Sequence, residues 1–396
     1  MNRISRIYLD YAASTPVDSL VFNAMKPYFS EKFGNPGSVQ SFGQEAIAAV
    51  DISRETIART IGSEFRNIIF TGSATEANNF AIRASVKKYL SEHKTDDARP
   101  RLIISSVEHE SVLETARELE NKGVEVIFLP VDKNGIVNLQ MLESSLNDHT
   151  ILVSVMYANN EIGTIQPITE ISKIIKDFKS RQSSIANLQP LLFHTDAVQA
   201  FQFLDCNVKE LGVDMMTLSA HKIYGPKGIG CLYLRQPLVS IMSGGGQEFG
   251  MRSGTENVPS IVGFSKAVEI RSHLLGPANK QISGLRDYLW RGIKRIRPNV
   301  ILNGGTGRNF LPNILNVYFP GQEAQDILTR LDLQGVAASS GSACRSRAIE
   351  ASYVITALGY AKERANSSVR FSLGRPTTKK DIDRALAVIK MVVSVK

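Results

Sequence analysis

The chain alternates short apolar runs with longer stretches whose apolar residues recur at helical spacing. Six runs of apolar residues predict buried strands, at 68–70, 102–105, 125–129, 151–155, 191–194 and 215–218. Residues 38–61, 112–120 and 168–178 have the pattern of helices. Alternating strands and helices predict an α/β domain with a mainly parallel sheet. Functional side chains are then expected in the loops that follow the strands.

The pattern changes after Gly263. A long helical stretch is followed by short strands near 314–317 and 369–373, and the last helix runs from about 379 to 392. This pattern predicts a smaller α+β domain. We therefore divide the chain into an N-terminal segment that packs with the small domain, a large domain and a small domain, at 1–20, 21–263 and 264–396.

Composition and charge narrow the class of protein. Of the 396 residues, 43% are hydrophobic and 21% are charged, which is ordinary for a globular chain, and no apolar run is long enough to span a membrane. The net charge of +8 comes from scattered basic residues, so we expect a solvated basic surface and no direct nucleic-acid partner. The N-terminus has no apolar secretory segment.

The three cysteines, Cys206, Cys231 and Cys344, are odd in number and have no C-x-x-C spacing. This argues against a disulfide framework and against a zinc site, so no metal is expected. It favours a reducing compartment, and we expect the cytoplasm.

Lys222 closes a predicted strand and precedes the turn Gly225-Pro226-Lys227-Gly228. A lysine in such a loop reaches a cofactor and forms a Schiff base with an aldehyde when its surroundings lower its pKa. The neighbouring Ser219 and His221 offer donors to a phosphate. Taken alone, a loop lysine is more often ordinary surface charge.

Asp196 stands at the end of another predicted strand, in His194-Thr195-Asp196-Ala197-Val198-Gln199. An aspartate there pairs with the protonated ring nitrogen of a pyridine and makes the ring an electron sink, with Gln199 reaching the ring's phenolic oxygen. A helix N-cap is the structural alternative. Ala74 and Thr75 begin a helix after a small-residue turn, where free N–H groups bind phosphate.

Two further polar groups follow strands. His109, in Ser105-Ser106-Val107-Glu108-His109, is placed to stack on a flat ring and to shuttle a proton, although a lone histidine is more often structural. Asn160, in Ala158-Asn159-Asn160-Glu161, offers an amide to a ring substituent.

Cys344 lies in the small-residue segment Ser339-Ser340-Gly341-Ser342-Ala343-Cys344, with Arg345 and Arg347 beside it. Nearby positive charge favours the nucleophilic thiolate, whereas most free cysteines are small buried hydrophobes. A run this small and polar fits a loop better than a core. Arg370 is a candidate for bidentate binding of a substrate carboxylate.

Together these segments resemble the cysteine desulfurases, the class V, fold-type I pyridoxal 5′-phosphate (PLP) enzymes of the NifS/IscS kind. The resemblance runs from Tyr8-Leu9-Asp10-Tyr11-Ala12 to Gly374-Arg375. It implies a large PLP-binding domain with a mainly parallel seven-stranded sheet and a smaller α+β domain that carries the cysteine loop. It also implies a homodimer that converts L-cysteine to L-alanine and leaves a persulfide on Cys344. A protein acceptor would then receive the sulfur, such as an iron–sulfur scaffold or a tRNA-thiolation protein.

The resemblance assigns a role to each matching residue. Lys222 is the cofactor-binding lysine, His109 the ring-stacking acid/base, Cys344 the nucleophile and Arg370 the carboxylate anchor. The residues that would hold the cofactor are Ala74, Thr75, His109, Asn160, Asp196, Gln199, Ser219, His221 and Lys222, with Thr255 reaching the phosphate of the neighbouring subunit. Asn160 would also approach the substrate.

Three alternatives remain open at this point, and the third, a basic nucleic-acid-associated protein, would show salt-dependent association. A selenocysteine lyase would carry the same residues, although the Ser-Ser-Gly-Ser-Ala-Cys segment resembles the desulfurase version more closely. A non-catalytic sulfur carrier would bind no yellow cofactor. Relative rates on cysteine and selenocysteine would separate the first alternative from a desulfurase, and a visible spectrum would separate the second.

Overall fold

A computed structural model of the chain describes residues 6–93, 99–182, 191–305, 307–341 and 351–394. Within these ranges the strands group into three sheets, and no helix is long and apolar enough to cross a membrane. The strands are β1 (Ile7–Tyr8), β2 (Ile68–Thr71), β3 (Arg101–Ser105), β4 (Glu125–Leu129), β5 (Thr150–Ser154), β6 (Leu192–Asp196), β7 (Met215–Ser219), β8 (Gly230–Leu234), β9 (Ile301–Asn303), β10 (Ile314–Tyr318), β11 (Val336–Ala337) and β12 (Ser368–Ser372).

The largest sheet has seven strands in the order β2-β8-β7-β6-β5-β3-β4. Strands β3 to β7 pair in parallel, whereas β8 runs antiparallel to both β2 and β7. The fold is therefore the expected α/β type with a mainly parallel seven-stranded sheet. The patterns at 68–70 and 215–218 correctly predicted β2 and β7, but β8 was missed, although turn residues flank its apolar run, with Gly225-Pro226-Lys227-Gly228 before it and Pro237 after it.

Helices cover both faces of this sheet. They are α1 (Ser19–Met25), α2 (Pro27–Ser30), α3 (Ser41–Thr60), α4 (Ala74–Glu92), α5 (Glu110–Glu120), α6 (Leu139–Ser145), α7 (Ile168–Gln182), α8 (Val208–Leu211), α9 (Val258–Leu274), α10 (Pro277–Ile296), α11 (Ala324–Leu333), α12 (Tyr353–Ala357), α13 (Lys362–Asn366) and α14 (Lys379–Val393). Because side chains alternate across a strand, Ile103 packs in one core with residues of α3 and α9, while Leu102 and Ile104 pack in a second core with residues of α4 and α5.

The N-terminal segment contacts strands that come late in the chain and then continues towards the large sheet. Strand β1 pairs in parallel with β11, and Tyr11 donates its N–H to the carbonyl of Ser372 on β12 across 3.2 Å. Strand β12 belongs to an antiparallel sheet with β10 and β9. Helix α9 runs through the predicted boundary at Gly263, so the division into domains stays a prediction.

Candidate active site

A cavity of about 610 Å³ opens where the parallel strands of the large sheet end at their carboxyl edge. Ten of the predicted site residues line it: Ala74, Thr75, His109, Asn160, Asp196, Gln199, Ser219, His221, Lys222 and Arg370. Thr255 is exposed and is not among the lining residues. Cys344 lies outside the described residues, but Gly341, three residues before it, lines the cavity.

Lys222 reaches the N-terminal segment. Its Nζ donates to the carbonyl oxygens of Ala12 and Ala13 across 2.6 and 2.7 Å, and Gln199 Nε2 donates to the same Ala12 oxygen across 2.9 Å. Burial, together with the charge of Lys222, lowers the pKa of the neighbouring His221 to about 4, so that ring is neutral near pH 7. The lysine amine therefore faces carbonyl oxygens and a neutral imidazole.

Asp196 ends β6 and is 5% exposed. Its Oδ1 accepts the N–H of Val198 across 2.9 Å, and its Oδ2 accepts from Asn78 Nδ2 across 2.7 Å. The aspartate thus holds the turn that follows β6 and lines the cavity, but it is not a helix N-cap, because the short helix that follows is preceded by Gln199. Two donors hold the plane of the carboxylate, which suits a group that must pair with one ring nitrogen.

His109 is the N-cap of α5. Its Nδ1 accepts the backbone N–H of Ser111 across 3.1 Å and lies 2.8 Å from the Ser111 hydroxyl. Burial lowers the pKa of His109 below its ordinary value, and the charge of Lys222 adds to the shift while that of Asp196 opposes it. The imidazole is consequently a neutral ring at the cavity wall.

Arg370 is 2% exposed and is held by two elements. Its Nη1 donates to the carbonyl of Asn160 across 2.8 Å, and its Nη2 donates to Asp10 Oδ1 across 2.8 Å. Its Nε and the Asn160 side-chain oxygen are buried and have no hydrogen-bond partner in the described part of the chain. Buried polar atoms of this kind ordinarily have partners, so both are candidates for contact with a ligand.

Helix α4 directs its N-terminus at the cavity. Ser73 caps the helix by accepting the N–H of Glu76 across 3.1 Å. A Cβ on Gly230 would lie 2.9 Å from the Ala74 nitrogen, so a glycine on β8 leaves room beside that amide. Glu76 also accepts the N–H of Gly72 across 2.7 Å and from Arg252 Nε across 2.7 Å. The helix start is therefore braced from both sides, with its free N–H groups available to an anion.

Comparison with known proteins identifies the family to which the chain belongs. The family model described as Aminotransferase class-V matches residues 7–385. The cysteine desulfurase IscS of Dictyoglomus turgidum is 43% identical over 389 residues, which cover 98% of this chain and 94% of that relative. The chain belongs to the cysteine desulfurases of the class V aminotransferase family.

Solved structures agree with this desulfurase in fold. A NifS-like protein superposes with a TM-score of 0.89 at 34% identity, covering 98% of this chain and 99% of its own. A structure titled SspA in complex with cysteine superposes with a TM-score of 0.79 at 35% identity, covering 92% of this chain and 98% of its own. The fold-type I architecture expected from the resemblance is therefore confirmed.

The cofactor of this desulfurase is pyridoxal 5′-phosphate. The residues present fit it, because one cavity joins a lysine amine, a buried carboxylate and a helix N-terminus. Lys222 would hold its aldehyde carbon and Asp196 its ring nitrogen. The start of α4, Ser219 and His221 would hold its phosphate. The unpartnered oxygen of Asn160 fits the same role of ligand contact.

Sequence reasoning missed three residues that the desulfurase places around the site: Asp10, Asn78 and Ser111. Asp10 stands within a segment already singled out, Asn78 and Ser111 follow such segments closely, and the partners of Asp10 and Asn78 are distant in sequence. Asp10 and Arg370 are 360 positions apart, and Asn78 and Asp196 are 118 apart. Only the spacing of Ser111 from His109 offered a local signal, because an N-cap side chain commonly accepts an N–H two residues on.

Proposed function

We propose that this desulfurase acts on L-cysteine with Lys222 as the cofactor-binding lysine, Arg370 as the carboxylate anchor and Cys344 as the sulfur acceptor. The observation that supports the proposal is the shared cavity. Lys222, Asp196 and Arg370 line it, and so does Gly341, from which the chain continues to Cys344.

When bound, PLP supplies an aldehyde for the substrate amine and an aromatic ring that delocalises the electron pair left at Cα. Lys222 is the group that takes the Cα proton of cysteine. In the described structure its amine is held by the carbonyls of Ala12 and Ala13, which accept but do not donate protons. The amine must leave both contacts before it can turn towards the substrate.

Asp196 would hold the cofactor ring nitrogen through its carboxylate. The Val198 N–H and the Asn78 amide hold it there. Gln199 is tied to the Ala12 carbonyl through Nε2, so its side-chain oxygen is the part left for other contacts. The N-terminus of α4 carries the partial positive charge that suits a phosphate.

Arg370 binds the substrate carboxylate and thereby sets the position of the substrate sulfur. The Cys344 thiolate then forms a bond to that sulfur while the substrate Cβ–S bond breaks. The electron pair of the broken bond takes a proton at Cβ and the proton is returned to Cα, so the products are L-alanine and a persulfide on Cys344. A protein acceptor takes the outer sulfur atom. An iron–sulfur scaffold and a tRNA-thiolation protein are the two acceptors we propose.

The deciding experiment follows the visible spectrum of the purified protein as cysteine and a reductant are added. Lys222→Ala is expected to lose the visible band of the lysine-bound cofactor. Cys344→Ala is expected to keep the band, to respond to cysteine and to release no sulfide. Lys209→Ala, a change of an exposed lysine on α8, is the matched control and should resemble the wild type.

Three results would contradict the proposal. A wild-type band in Lys222→Ala would exclude the lysine assignment, and wild-type sulfide release in Cys344→Ala would exclude the persulfide assignment. A colourless wild-type protein that gains no band with added PLP would favour the non-catalytic sulfur carrier instead. Sulfide and alanine should appear in equal amounts.

A homodimer and a cytoplasmic location are further parts of the proposal. Large apolar side chains are exposed on α2, on α3 and in the segment between them, with Phe29 62%, Phe33 66%, Val39 92% and Phe42 51% exposed. An apolar surface of this kind suits an interface with a second copy, which would also bring Thr255 towards a partner's cavity. Cys206 and Cys231 are free and buried, as in proteins of a reducing compartment.

Light scattering tests the dimer. The proposal expects twice the chain mass of 43.5 kDa for the wild type and a lower mass for the double variant Phe33→Asp/Phe42→Asp. Leu333→Asp changes an equally exposed side chain on α11, outside this surface, and is the matched control. A monomeric wild type would contradict the dimer and leave the active-site assignment untouched.

A further inference from the structure

A hydrogen-bonded chain joins two of the groups that line the cavity. It runs from the Asp196 carboxylate to the Asn78 amide, then to the Ser111 hydroxyl and on to the His109 ring. The three contacts measure 2.7, 2.8 and 2.8 Å. Its members come from β6, α4 and α5 and the residue that caps α5. This series of hydrogen bonds therefore connects elements that meet only in the folded protein.

The direction of each hydrogen bond follows from chemistry. Asn78 turns Nδ2 to the carboxylate, because the reverse orientation would place two acceptor oxygens 2.7 Å apart. The same Nδ2 donates to the Ser111 hydroxyl oxygen, which leaves the Ser111 proton for His109 Nδ1. Asn78 is 0% exposed, and its own Oδ1 has no partner in the described part of the chain. The Asn78 side chain is therefore held by its two donor contacts, to Asp196 and to Ser111.

The backbone settles the state of the ring. The Ser111 N–H can only donate, so Nδ1 of His109, 3.1 Å away, must present its lone pair. A neutral imidazole with a lone pair on Nδ1 carries its proton on Nε2. Protonating Nδ1 would set an N–H against the Ser111 N–H and against the hydroxyl proton. Both donors therefore oppose formation of the imidazolium.

We propose that Asn78 and Ser111 are positioning residues that hold His109 as the neutral Nε2–H tautomer and couple its ring to the Asp196 carboxylate. The proposal rests on the desulfurase function proposed above and refines it. His109 then offers a proton at Nε2 but does not take one there. The acceptor of the Cα proton is then Lys222, as the resemblance implies.

The charged groups around His109 shift its pKa in opposite directions. Asp196 on β6 and Glu110 on α5 favour the imidazolium, while Lys222 disfavours it. The donors of Ser111 add to the effect of Lys222 and of burial. The variants below leave all three charged residues in place, so a change in the ring reports on the hydrogen-bonded chain.

Nitrogen NMR of the histidine rings tests this in the full chain with its cofactor bound. The signals of His109 are assigned by their loss in His109→Gln, which separates them from the other five histidines. The wild type is expected to show the Nε2–H tautomer and a pKa below the ordinary value. Ser111→Ala keeps the backbone donor and loses the hydroxyl. Its His109 pKa should rise by roughly half a unit to one unit, which is the effect of one neutral hydrogen bond.

Asn78→Ala tests the other half of the chain. Loss of its amide should shift the visible absorbance maximum of the cofactor, because Asp196 loses a donor. In the double variant Asn78→Ala/Ser111→Ala, the change in the His109 pKa should differ from the sum of the single changes, as expected for residues that act together. Ser111→Thr restores the hydroxyl and should restore the wild-type pKa.

Ser85→Ala is the matched control. It removes a buried hydroxyl of α4 that donates to the Ala81 carbonyl across 2.7 Å, and it should leave both the ring and the spectrum unchanged. An Nδ1–H tautomer in the wild type, or an unchanged His109 pKa in Ser111→Ala, would overturn the proposal. Sulfide release is measured on the same wild-type sample. Its absence would refute the desulfurase function while leaving the tautomer result intact.

Discussion

Arg370 on β12 donates from Nη2 to Asp10 Oδ1 across 2.8 Å. The arginine is 2% exposed, and its Nη1 is occupied by the Asn160 carbonyl. Nε is its only nitrogen that lacks a partner in the described part of the chain. The Asp10 carboxylate therefore neutralises the guanidinium and helps to fix its position at the cavity wall.

We predict that Asp10→Asn weakens cysteine binding more than it slows turnover. The amide keeps the size of the carboxylate but loses its charge, so the guanidinium is held less firmly and the substrate carboxylate meets a displaced anchor. Loss of a charge-assisted hydrogen bond costs about 1.5 kcal/mol, which corresponds to roughly a tenfold rise in KM. Initial rates over a range of cysteine concentrations measure it.

Asp18→Asn is the matched control for this change. Asp18 also forms an ion pair with an arginine late in the chain, Arg375. Its Oδ2 lies 3.4 Å from Arg375 Nη2, and neither residue lines the cavity. Its KM should equal that of the wild type. An unchanged KM in Asp10→Asn would show that Arg370 keeps its position without the ion pair, or that it does not bind the substrate.

Cysteine alkylation is expected to be selective in the native protein. Cys206 and Cys231 are 1% and 0% exposed, and burial raises the pKa of Cys206 to about 12 and the pKa of Cys231 well above its ordinary value. Neither forms appreciable thiolate near pH 7, which is the reactive form. Iodoacetamide should therefore add once to the native wild type, at Cys344.

Intact-mass spectrometry checks the count of adducts. Cys344→Ser should gain none under native conditions, and the denatured wild type should gain three, one for each cysteine. Cys206→Ala serves as the control and should still gain one adduct when native. Modification of native Cys344→Ser would mean that a buried thiol becomes accessible.

Much of this site was predictable because parallel strands end at one edge of a sheet. The motifs at Asp196 and Lys222 each follow an apolar run, so the topology alone brings them to one cavity. The apolar run of β8 was missed, although its glycine leaves space for the Ala74 amide. The roles of Lys222 and Cys344 themselves remain proposals with the experiments stated above.

The supporting contacts were beyond sequence reasoning for a physical reason. Asp10 meets Arg370 only because β1 pairs with β11 and the segment then passes β12. Asn78 meets Asp196 only because α4 packs over the sheet. Hydrophobic periodicity specifies which face of an element is buried, but it does not specify which polar groups meet across two elements.

A buried ion pair supports the segment that leads to Thr255. Arg54 donates to both carboxylate oxygens of Glu248 across 2.6 and 2.8 Å, with side-chain exposures of 4% and 2%. Glu248 also accepts the Phe70 N–H across 2.8 Å and has a φ of +49°, in the region that disfavours side chains. The ion pair therefore stabilises a strained turn.

We predict that Glu248→Gln lowers the free energy of unfolding by about 3–5 kcal/mol, because Arg54 keeps a buried charge without its counterion. Urea unfolding followed by fluorescence measures it. The double variant Arg54→Met/Glu248→Leu should be less destabilised than Glu248→Gln. Glu118→Gln, in an exposed pair with Arg83, should leave the midpoint unchanged. A wild-type midpoint for Glu248→Gln would show that the buried pair adds nothing to stability.

Glu161 gives the fold a pH dependence of its own. Its carboxyl is 1% exposed, and burial raises its pKa to about 7, against the opposing effects of the Ser352 hydroxyl and the Arg370 charge. Ser352 Oγ donates to Oε2 across 2.5 Å, and a Cβ on Gly341 would lie 2.4 Å from the same oxygen. The carboxyl thus touches both Gly341 and Ser352, on either side of the segment that carries Cys344.

The raised pKa determines the sign of the effect. The folded protein binds the Glu161 proton more tightly than the unfolded chain, so the neutral carboxyl stabilises the fold fully below the ordinary value of 4.5. This contribution is lost as the pH rises through about 7. Relative to Glu161→Gln, the wild type should therefore lose up to roughly 3 kcal/mol between mildly acidic and mildly alkaline pH.

Urea unfolding of both proteins at a series of pH values measures the difference directly. Taking the difference removes the effect of buried histidines, such as His194, whose pKa burial lowers to about 4. Glu114→Gln, a change of an exposed glutamate on α5, should run parallel to the wild type at every pH. Parallel curves for Glu161→Gln would mean that Glu161 is ionised in the fold, with Arg370 compensating its charge across the cavity wall.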